Sequence, residues 1–333
     1  MSSFDTDREF LLNRIYNINE KDFDTVAMDL WEYQFRYNEL YKSFCNLLAL
    51  SPLNVQSVSE IPFLPISMFR EKDVKTGNWD PEVIFRSSGT TGSRQSKHLI
   101  RDLDWYHQNA EKTFNHHFGD PSEYVWIALL PSYLERPDSS LVDMVTNFMQ
   151  KDKKHESGFF SEVNNKIIEV LQRLSLLNQK TILIGVSYAL LDLFEKYDVP
   201  VWDQFIVIET GGMKGRGQEI TKDELHGRLN ARHHQLSIAS EYGMTELLSQ
   251  AYLKREHFYP GATMKAFTRD ISDPMTMTSF GKRGVINVID VANIDTCSFI
   301  ATDDIGIVYE DGSFDVLGRL DQSDVRGCNL LYV

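Results

Sequence analysis

The segment between residues 85 and 102, FRSSGTTGSRQSKHLIRD, is rich in the residue types that bind phosphate. Glycine lets backbone N–H groups approach an anion closely, serine and threonine add hydroxyl donors, and Arg94, Lys97 and Arg101 add positive charge. The spacing is not that of a Walker A loop, because the pattern G-x-x-x-x-G-K-[ST] is missing. Taken alone, the segment is compatible with either a phosphate-binding loop or an ordinary surface turn.

Three further segments follow in a fixed order: TGGMKG at 210–215, SEYGMTE at 240–246, and the stretch 302–324, which runs from TDDIG to VLGRLDQSD. Together with SSGTTG they resemble the ordered core motifs of the adenylate-forming superfamily of acyl-CoA synthetases, luciferases and peptide-synthetase adenylation domains. Four motifs in this order are far more specific than any one of them.

A narrower resemblance is to the phenylacetate-CoA ligase branch and, within it, to the LuxE-like acyl-protein synthetases of the bacterial bioluminescence fatty-acid reductase. The segments that carry it are IPFLPISMF at 61–69, TDDIGIV at 302–308 and RGCNL at 326–330. The resemblance covers roughly residues 55–333, and residues 100–200 match only in outline.

The resemblance implies an ATP site. The residues that would cradle the β- and γ-phosphates are Ser87, Ser88, Gly89, Thr90, Thr91 and Gly92. The residues that would surround the nucleoside are Gly211, Gly212 and Met213 beside the adenine, Tyr242 stacked on its ring, and Asp304 with Arg319 at the ribose.

The resemblance also implies the catalytic groups, which are Thr245, Glu246, Arg319 and Cys328. Thr245 would bond the α-phosphate, and Glu246 would hold Mg²⁺, a hard cation that prefers carboxylate and phosphate oxygens. A substrate carboxylate would then attack the α-phosphorus, in a reaction catalysed mainly by positioning and by neutralisation of charge.

The phosphate loop departs from the usual superfamily pattern. It often continues with Pro-Lys-Gly in the superfamily, whereas here the sequence RQS begins at Arg94. Either Arg94 or Lys97 supplies the missing charge, or no residue does.

The end of the chain is a second departure. Full-length superfamily members continue past a hinge, at the position of Asp321, into a mobile lid with a catalytic lysine, whereas this sequence stops at Val333. We therefore expect the lid to be absent. In LuxE-like synthetases the acyl group passes from the adenylate to a cysteine near the C-terminus, and Cys328 falls on that position. Without the resemblance, Cys328 would be interpreted as a small packing residue.

The periodicity predicts a helical beginning over residues 5–50, then an extended connector at 61–69, because proline disfavours helix at its own position and at the one before. Beyond it, strands and helices alternate, which predicts a mostly parallel sheet. The predicted strands are 124–131, 181–186 and 205–212, residues 236–246 are predicted as a strand followed by a loop, and the predicted helices are 103–118, 161–179 and 222–234.

From about residue 260 the pattern changes to short β segments with turns between them. The predicted fold class is therefore α/β: the large N-terminal domain of the adenylate-forming fold, with mostly parallel sheets flanked by helices and a barrel-like β subdomain. We expect a large domain over 1–317, made of a helical start at 1–60, an α/β body at 61–258 and a β-rich subdomain at 259–317. Residues 318–333 are expected to form the hinge remnant and a short tail.

Composition limits the partners and the location. A formal net charge of −14 over 333 residues argues against nucleic acid and against an anionic membrane. The cysteines Cys45, Cys297 and Cys328 do not form a disulfide pattern, and no signal peptide or membrane-length apolar run is found in the sequence. These features predict a cytoplasmic protein.

The main hypothesis is an AMP-forming acid–thiol ligase that uses ATP and Mg²⁺ to activate a fatty or aryl acid as acyl-AMP. The acyl acceptor would be Cys328, a carrier protein or a reductase partner. One alternative is a non-catalytic adenylate-binding or scaffold protein that lost the lid, and another is an ATP-independent acyltransferase that uses Cys328. The rival interpretation of single residues also stands: Tyr242 and Met213 as core, Glu246 as a solvated helix start, Asp304 as a turn residue.

Overall fold

The computed structural model describes residues 3–88, 94–131, 136, 138–153, 155–211, 220–232 and 236–320. The predicted site residues Gly89, Thr90, Thr91, Gly92, Gly212, Met213 and Cys328, and the hinge residue Asp321, lie outside these ranges. The chain divides into two compact units. The first contains Met1–Asn109, Met244–Gln250 and His257–Val333, and the second contains Ala110–Gly243 and Ala251–Glu256.

The helices in the described residues agree with the predicted helical beginning and with the three later predicted helices. They are α1 (Ser3–Tyr16), α2 (Phe23–Tyr37), α3 (Glu39–Leu47), α4 (Met68–Glu71), α5 (Leu103–Phe118), α6 (Ser140–Gln150), α7 (Asn165–Leu176), α8 (Ser187–Lys196) and α9 (Lys222–Asn230). Polar side chains fix several starts, because a cap accepts a hydrogen bond from an N–H group that the first turn leaves unpaired. Asn38 accepts from Tyr41 in α3, and Thr221 accepts from Glu224 in α9.

The strands are β1 (Leu64–Pro65), β2 (Val83–Arg86), β3 (Lys97–Ile100), β4 (Val125–Leu129), β5 (Gly158–Phe160), β6 (Thr181–Gly185), β7 (Phe205–Glu209), β8 (Ser237–Tyr242), β9 (Ala251–Lys254), β10 (His257–Pro260), β11 (Met264–Arg269), β12 (Arg283–Asp290), β13 (Phe299–Val308) and β14 (Phe314–Arg319).

The second unit is built on a mostly parallel sheet. Its strands lie in the order β5-β4-β6-β7-β8-β9, and every neighbouring pair is parallel except β8 with β9. Every residue of β4 and β6 is buried, because helices cover both faces of such a sheet and favour continuous apolar runs. Phe114, Trp126 and Phe148 form an aromatic cluster with ring centroids 4.9–5.3 Å apart.

The first unit has an antiparallel sheet in the order β11-β12-β13-β14-β10. β1 adds to β13 in parallel, with Leu64 opposite Ile300, so the connector predicted at 61–69 is extended where it joins the sheet. A separate hairpin, β2 with β3, has Arg86 opposite Lys97 at its open end.

The predicted fold class is confirmed: helices flank a mostly parallel sheet, and an antiparallel β region follows it in the sequence. The short strands β5 and β9 were not predicted, because three or four residues are too few to show a period. The domain limit expected at residue 317 stays a prediction. Among the described residues, no helix is long and apolar enough to cross a membrane.

Candidate active site

The predicted phosphate loop connects the two strands of the β2–β3 hairpin. At its base the Ser87 N–H donates to the Ser96 carbonyl at 3.1 Å, and the Ser96 N–H donates to the Ser87 hydroxyl at 2.9 Å. These two bonds hold the ends of the 87–96 segment together. Ser88 is exposed beside this base.

Residues 244–250 of the first unit form a segment without regular helix or strand, half-buried at 244–245 and buried at 246–250. This segment contains the predicted catalytic residues Thr245 and Glu246. Because a buried backbone without a ladder must find other hydrogen-bond partners, side chains from the surrounding elements supply them. The segment is therefore held by tertiary contacts and not by local propensity.

His98, on β3, holds the backbone of Thr245. Its Nδ1 lies 2.7 Å from the Thr245 carbonyl oxygen, so Nδ1 carries the proton and donates it, while Nε2 accepts from the Thr296 hydroxyl at 3.0 Å. Burial lowers the pKa of His98 to about 4, partly opposed by the bond to Thr245. The imidazole is therefore neutral at neutral pH.

Asp290, which ends β12, and Asn293, in the turn after it, hold the rest of the segment. Asn293 donates to the Glu246 carbonyl at 2.9 Å. The Asp290 carboxylate accepts from the N–H groups of Leu248 at 2.7 Å and Ser249 at 3.0 Å. Side chains thus bind both carbonyl groups and N–H groups of this segment.

The Glu246 side chain is 6% exposed. Burial raises its pKa, while a hydrogen bond from Ser96 and the positive charges of Arg319 and Arg70 act in the opposite direction. No cation of the described residues lies within ion-pair distance of it. A buried carboxylate whose nearby cations do not overcome the cost of burial is suited to a positively charged ligand.

Asp304 and Arg319 are opposite each other across β13 and β14. Their side chains approach to 3.8 Å, with Asp304 mostly buried and Arg319 72% exposed. The first unit therefore holds Ser87, Thr245, Glu246, Asp304 and Arg319, and the charge of Arg319 reaches Glu246.

The second unit carries the other predicted residues at one edge of its parallel sheet. Gly185, Glu209 and Ser240 are neighbours in register on β6, β7 and β8. Gly211 follows the end of β7 with φ +79°, which only glycine adopts without strain, and Tyr242 ends β8 and is buried. The carboxyl edge of parallel strands is the usual ligand-binding edge in α/β folds.

The Glu209 carboxylate organises this edge. It accepts from the Ser187 hydroxyl and from the Gly211 N–H, both at 2.5 Å, and it pairs with Lys222 at the start of α9. Burial opposes its ionisation, but the Lys222 charge and these hydrogen bonds prevail and lower the pKa of Glu209. Nearby, burial and the Glu209 charge raise the pKa of Glu241 to about 8.

The residues that sequence reasoning missed are those that act on the predicted site without resembling a motif: His98, Asp290, Asn293, Glu209 and Lys222. One signal was available for Glu209, since a carboxylate that ends an apolar run, directly before TGG, is unusual in a buried strand. Phe148 on α6 is buried and packs against Trp126.

No protein-family model matches the chain. Two curated proteins do, both described as long-chain-fatty-acid–luciferin-component ligases. That of Vibrio harveyi is 24% identical over 90% of this chain and 84% of its own length. That of Aliivibrio fischeri is 23% identical over 92% of this chain and 86% of its own length.

Solved structures agree on the fold. A 2-hydroxyisobutyryl-CoA ligase in complex with an acyl adenylate matches 93% of this chain and 70% of its own, with 11% identity and a TM-score of 0.66. The chain has the fold of the adenylate-forming ligases. ATP-bound MatB of Rhodopseudomonas palustris matches 73% of this chain at 17% identity, with a TM-score of 0.51, and AMP-bound MenE of Bacillus subtilis matches 72% at 15% identity, also with a TM-score of 0.51.

This chain spans about half the length of MatB and MenE. The suspected resemblance to the adenylate-forming superfamily, and within it to LuxE-type acyl-protein synthetases, is confirmed. The names of the two sequence relatives favour the ligase hypothesis over the scaffold hypothesis.

The Asp290→Ala substitution tests how the backbone of residues 244–250 is held in place. It leaves the Leu248 and Ser249 N–H groups buried without an acceptor, so we expect the free energy of unfolding to fall by about 3 kcal/mol. Urea denaturation measures it. The exposed Glu310→Ala is the control, with an expected change below about 0.5 kcal/mol. Equal effects of the two substitutions would contradict this account.

The His98→Gln substitution tests the neutral buried imidazole. The folded pKa of about 4 is below the ordinary value of 6.5, so between these values the unfolded chain binds a proton that the folded chain refuses. Stability therefore falls with decreasing pH across this window, by about 3 kcal/mol for this group. Glutamine offers one N–H donor group and one acceptor oxygen in place of the two ring nitrogens, and it does not titrate. We expect the stability difference, wild type minus variant, to decrease by that amount between pH 7 and pH 4 in denaturation experiments. A difference independent of pH would refute the assignment.

The Lys222→Ala substitution tests the Glu209 network. Removing the cation leaves a buried carboxylate unpaired, so we expect a loss of about 3 kcal/mol in unfolding free energy. The matched control is Lys196→Ala, whose exposed pair with Asp192 is expected to contribute less than about 1 kcal/mol. Thermal and urea unfolding of both variants compare them, and a loss for Lys222→Ala as small as that for Lys196→Ala would show that Glu209 does not depend on its partner.

Proposed function

We propose that this protein is an AMP-forming acid–thiol ligase, similar in activity to the acyl-protein synthetases. The observation that carries the proposal is the buried Glu246 carboxylate, fixed beside Thr245 and close to Arg319 and Arg70, in a chain that aligns over 90% of its length with a long-chain fatty-acid ligase. The substrate we propose is a long-chain fatty acid, because both curated relatives are named for one.

In the first step a carboxylate oxygen of the acid attacks the α-phosphorus of ATP. A new P–O bond forms, the bond between the α-phosphorus and the bridging oxygen breaks, and pyrophosphate leaves with the electron pair. Thr245 would donate to the α-phosphate, and Asp304 would accept from the ribose hydroxyls. Both residues are held on a rigid frame, so positioning is their main contribution.

Glu246 fits a Mg²⁺ ion that the nucleotide brings with it. Magnesium usually binds through one or two carboxylates together with substrate phosphates, and not in a cage made of protein ligands alone. Consistent with this, the described residues contain no group of three or more His, Cys, Asp or Glu side chains that would hold a metal without other ligands. When bound, the ion would neutralise phosphate charge.

In the second step a thiolate attacks the acyl carbon of the adenylate and AMP leaves as the C–O bond breaks. We propose Cys328 as this thiol, on sequence grounds alone, since it lies outside the described residues. A carrier protein or a reductase is the proposed final acceptor. We also propose a cytoplasmic location, on the grounds of composition and cysteine usage.

Isotope exchange between ATP and pyrophosphate, with Mg²⁺ and a series of fatty and aryl acids, tests the first step. We expect acid-dependent exchange that falls about 100-fold or more in Glu246→Gln, because charge stabilisation in the transition state is lost. Glu310→Gln, at an exposed position, is the control and should retain the wild-type rate.

The second step is tested by intact mass after incubation with ATP and the best acid. An acyl adduct that disappears in Cys328→Ser, while exchange persists, would support self-acylation. An adduct that persists in Cys328→Ser would exclude that residue as the acceptor. Nucleotide binding without exchange for any acid would favour a scaffold, and labelling of Cys328 by acyl-CoA without ATP would favour an acyltransferase.

A further inference from the structure

The N-terminal helix α1 is tied to the turn after β12 by a buried ion pair. The Arg8 guanidinium donates two hydrogen bonds to the Asp295 carboxylate, from Nε to Oδ1 and from Nη2 to Oδ2, both at 2.6 Å. Only 14% of the Arg8 side chain and 11% of the Asp295 side chain is exposed. A bidentate pair of this kind fixes both the distance and the orientation of its partners. It joins residues that are 287 positions apart in the sequence.

Arg101 lies at the same carboxylate. Its Nη1 donates to Asp295 Oδ1 at 3.4 Å, and its Nη2 is 3.7 Å from Asp5 on α1. The sequence offered Arg101 as one of three cations near the glycine-rich segment, but in the fold its charge is shared between these two carboxylates. The part of α1 that contains Asp5 and Arg8 is therefore anchored to the turn by a network of four charges.

The turn around Asp295 supports the backbone of the predicted catalytic residues. Asn293, two positions before Asp295, donates to the Glu246 carbonyl at 2.9 Å. Thr296, the next residue, donates its hydroxyl proton to His98, whose other ring nitrogen donates to the carbonyl of the residue before Glu246. Because Asp295 lies between Asn293 and Thr296, a shift of its backbone would move both supports.

The position of the Asn293 amide depends on the backbone of this turn. The side chain is fully buried and donates to Glu246, whereas its oxygen has no hydrogen-bond partner within the described part of the chain. A second side-chain bond therefore does not hold the amide in place. Gln34 of α2 donates to the Asn293 carbonyl at 2.9 Å, without contributing charge. Asp295 is the one charged residue of VANIDTCS at 291–298, so the charge-assisted bonds of the turn converge on it.

We propose that Arg8 is a positioning residue for the proposed adenylation reaction, acting through Asp295 on the backbone that carries Thr245 and Glu246. The bidentate pair holds the turn where Asn293 and Thr296 reach that backbone. A small displacement is sufficient for a large effect, because misplacement of a reacting group by about 1 Å can lower a rate about 100-fold. The effect on rate rests on the proposed function, whereas the attachment of the turn is a property of the folded chain alone.

Hydrogen exchange followed by mass spectrometry tests the attachment without any ligand. In Arg8→Ala we expect the peptides that cover 244–250 and 291–298 to exchange about tenfold faster than in wild type, because the released turn opens locally more often. Arg14→Ala is the matched control. It removes another arginine of α1, which pairs with Asp29 of α2 and not with the turn, and it should leave both peptides unchanged.

ATP–pyrophosphate exchange with the best acid tests the effect on the reaction. We expect kcat to fall about tenfold in Arg8→Ala while KM for ATP changes less than about threefold, because the misplaced groups act mainly in the transition state. Arg8→Lys keeps the charge without the planar fork and is expected to recover part of kcat. Ile15→Ala, which removes buried apolar atoms from the same helix, should lower Tm by a similar amount and leave kcat unchanged.

Unchanged hydrogen exchange at 244–250 in Arg8→Ala would overturn the proposal. An equal loss of kcat in Ile15→Ala would also overturn it, because it would assign the effect to general loss of stability. Asp295→Asn keeps the shape of the side chain and removes its charge, so it decides the matter if Arg8→Ala does not fold. Faster exchange at 244–250 together with a lower kcat in that variant would support the proposal, and the absence of either change would contradict it.

The same measurements separate this proposal from the proposed function. Faster hydrogen exchange at 244–250 in Arg8→Ala, with no acid-dependent activity of the wild type for any acid, would support the attachment and contradict the ligase. Acid-dependent activity with the same kcat in wild type and Arg8→Ala would support the ligase and contradict the positioning role.

Discussion

The first unit depends on one constraint: residues 244–250 have no regular structure and are mostly buried, and their backbone groups must still be hydrogen-bonded. Unpaired buried N–H and C=O groups are expensive, so the surrounding elements supply side chains that bind them. His98 binds one carbonyl, Asn293 the next, and Asp290 binds two N–H groups. The same bonds fix Thr245 and Glu246 in space, so the contacts that offset the cost of burying the segment also position the predicted catalytic groups.

Two buried carboxylates, those of Glu209 and Glu246, have pKa values shifted in opposite directions. Glu209 is paired with Lys222 and bonded by Ser187 and Gly211, and its pKa is lowered in spite of burial. Glu246 accepts a hydrogen bond and is influenced by the charges of Arg319 and Arg70 without an ion pair, and burial raises its pKa. The Glu209 carboxylate therefore finds its charge partner and its hydrogen-bond donors within the protein, and it holds the turn at Gly211. The Glu246 carboxylate would be stabilised further by a ligand that brings positive charge, such as the Mg²⁺–nucleotide proposed above.

The cations near Glu246 are placed differently from the Lys222 partner of Glu209, because neither of them forms an ion pair with Glu246. Arg319 is shared with Asp304, whereas Arg70 lies on α4 and lines a cavity together with Lys72 and Arg94. The overall field of an acidic protein repels a nucleotide, so the proposed ATP site requires a local concentration of positive charge. In this chain α4 and the residues after the glycine-rich segment would supply this charge, and Lys97 would not, because Asp73 neutralises it.

The sequence alone determined the fold class and the order of the site segments. The strands β4 and β6 could be predicted because a run of apolar residues is a local property of the chain. The turn after β7 could be predicted because its left-handed backbone conformation favours glycine. The motifs SSGTTG and SEYGMTE then predicted which residues belong to the site.

Only the tertiary structure decided the partners of those residues. His98 and Thr245 are 147 positions apart in the sequence, and Asp290 lies 42 positions from Leu248, so no local pattern connects them. The direction of the pKa shift at Glu246 and at Glu209 likewise depends on which charges the fold brings near a buried carboxylate. Burial and charge proximity are properties of the packed chain, and a sequence motif specifies neither.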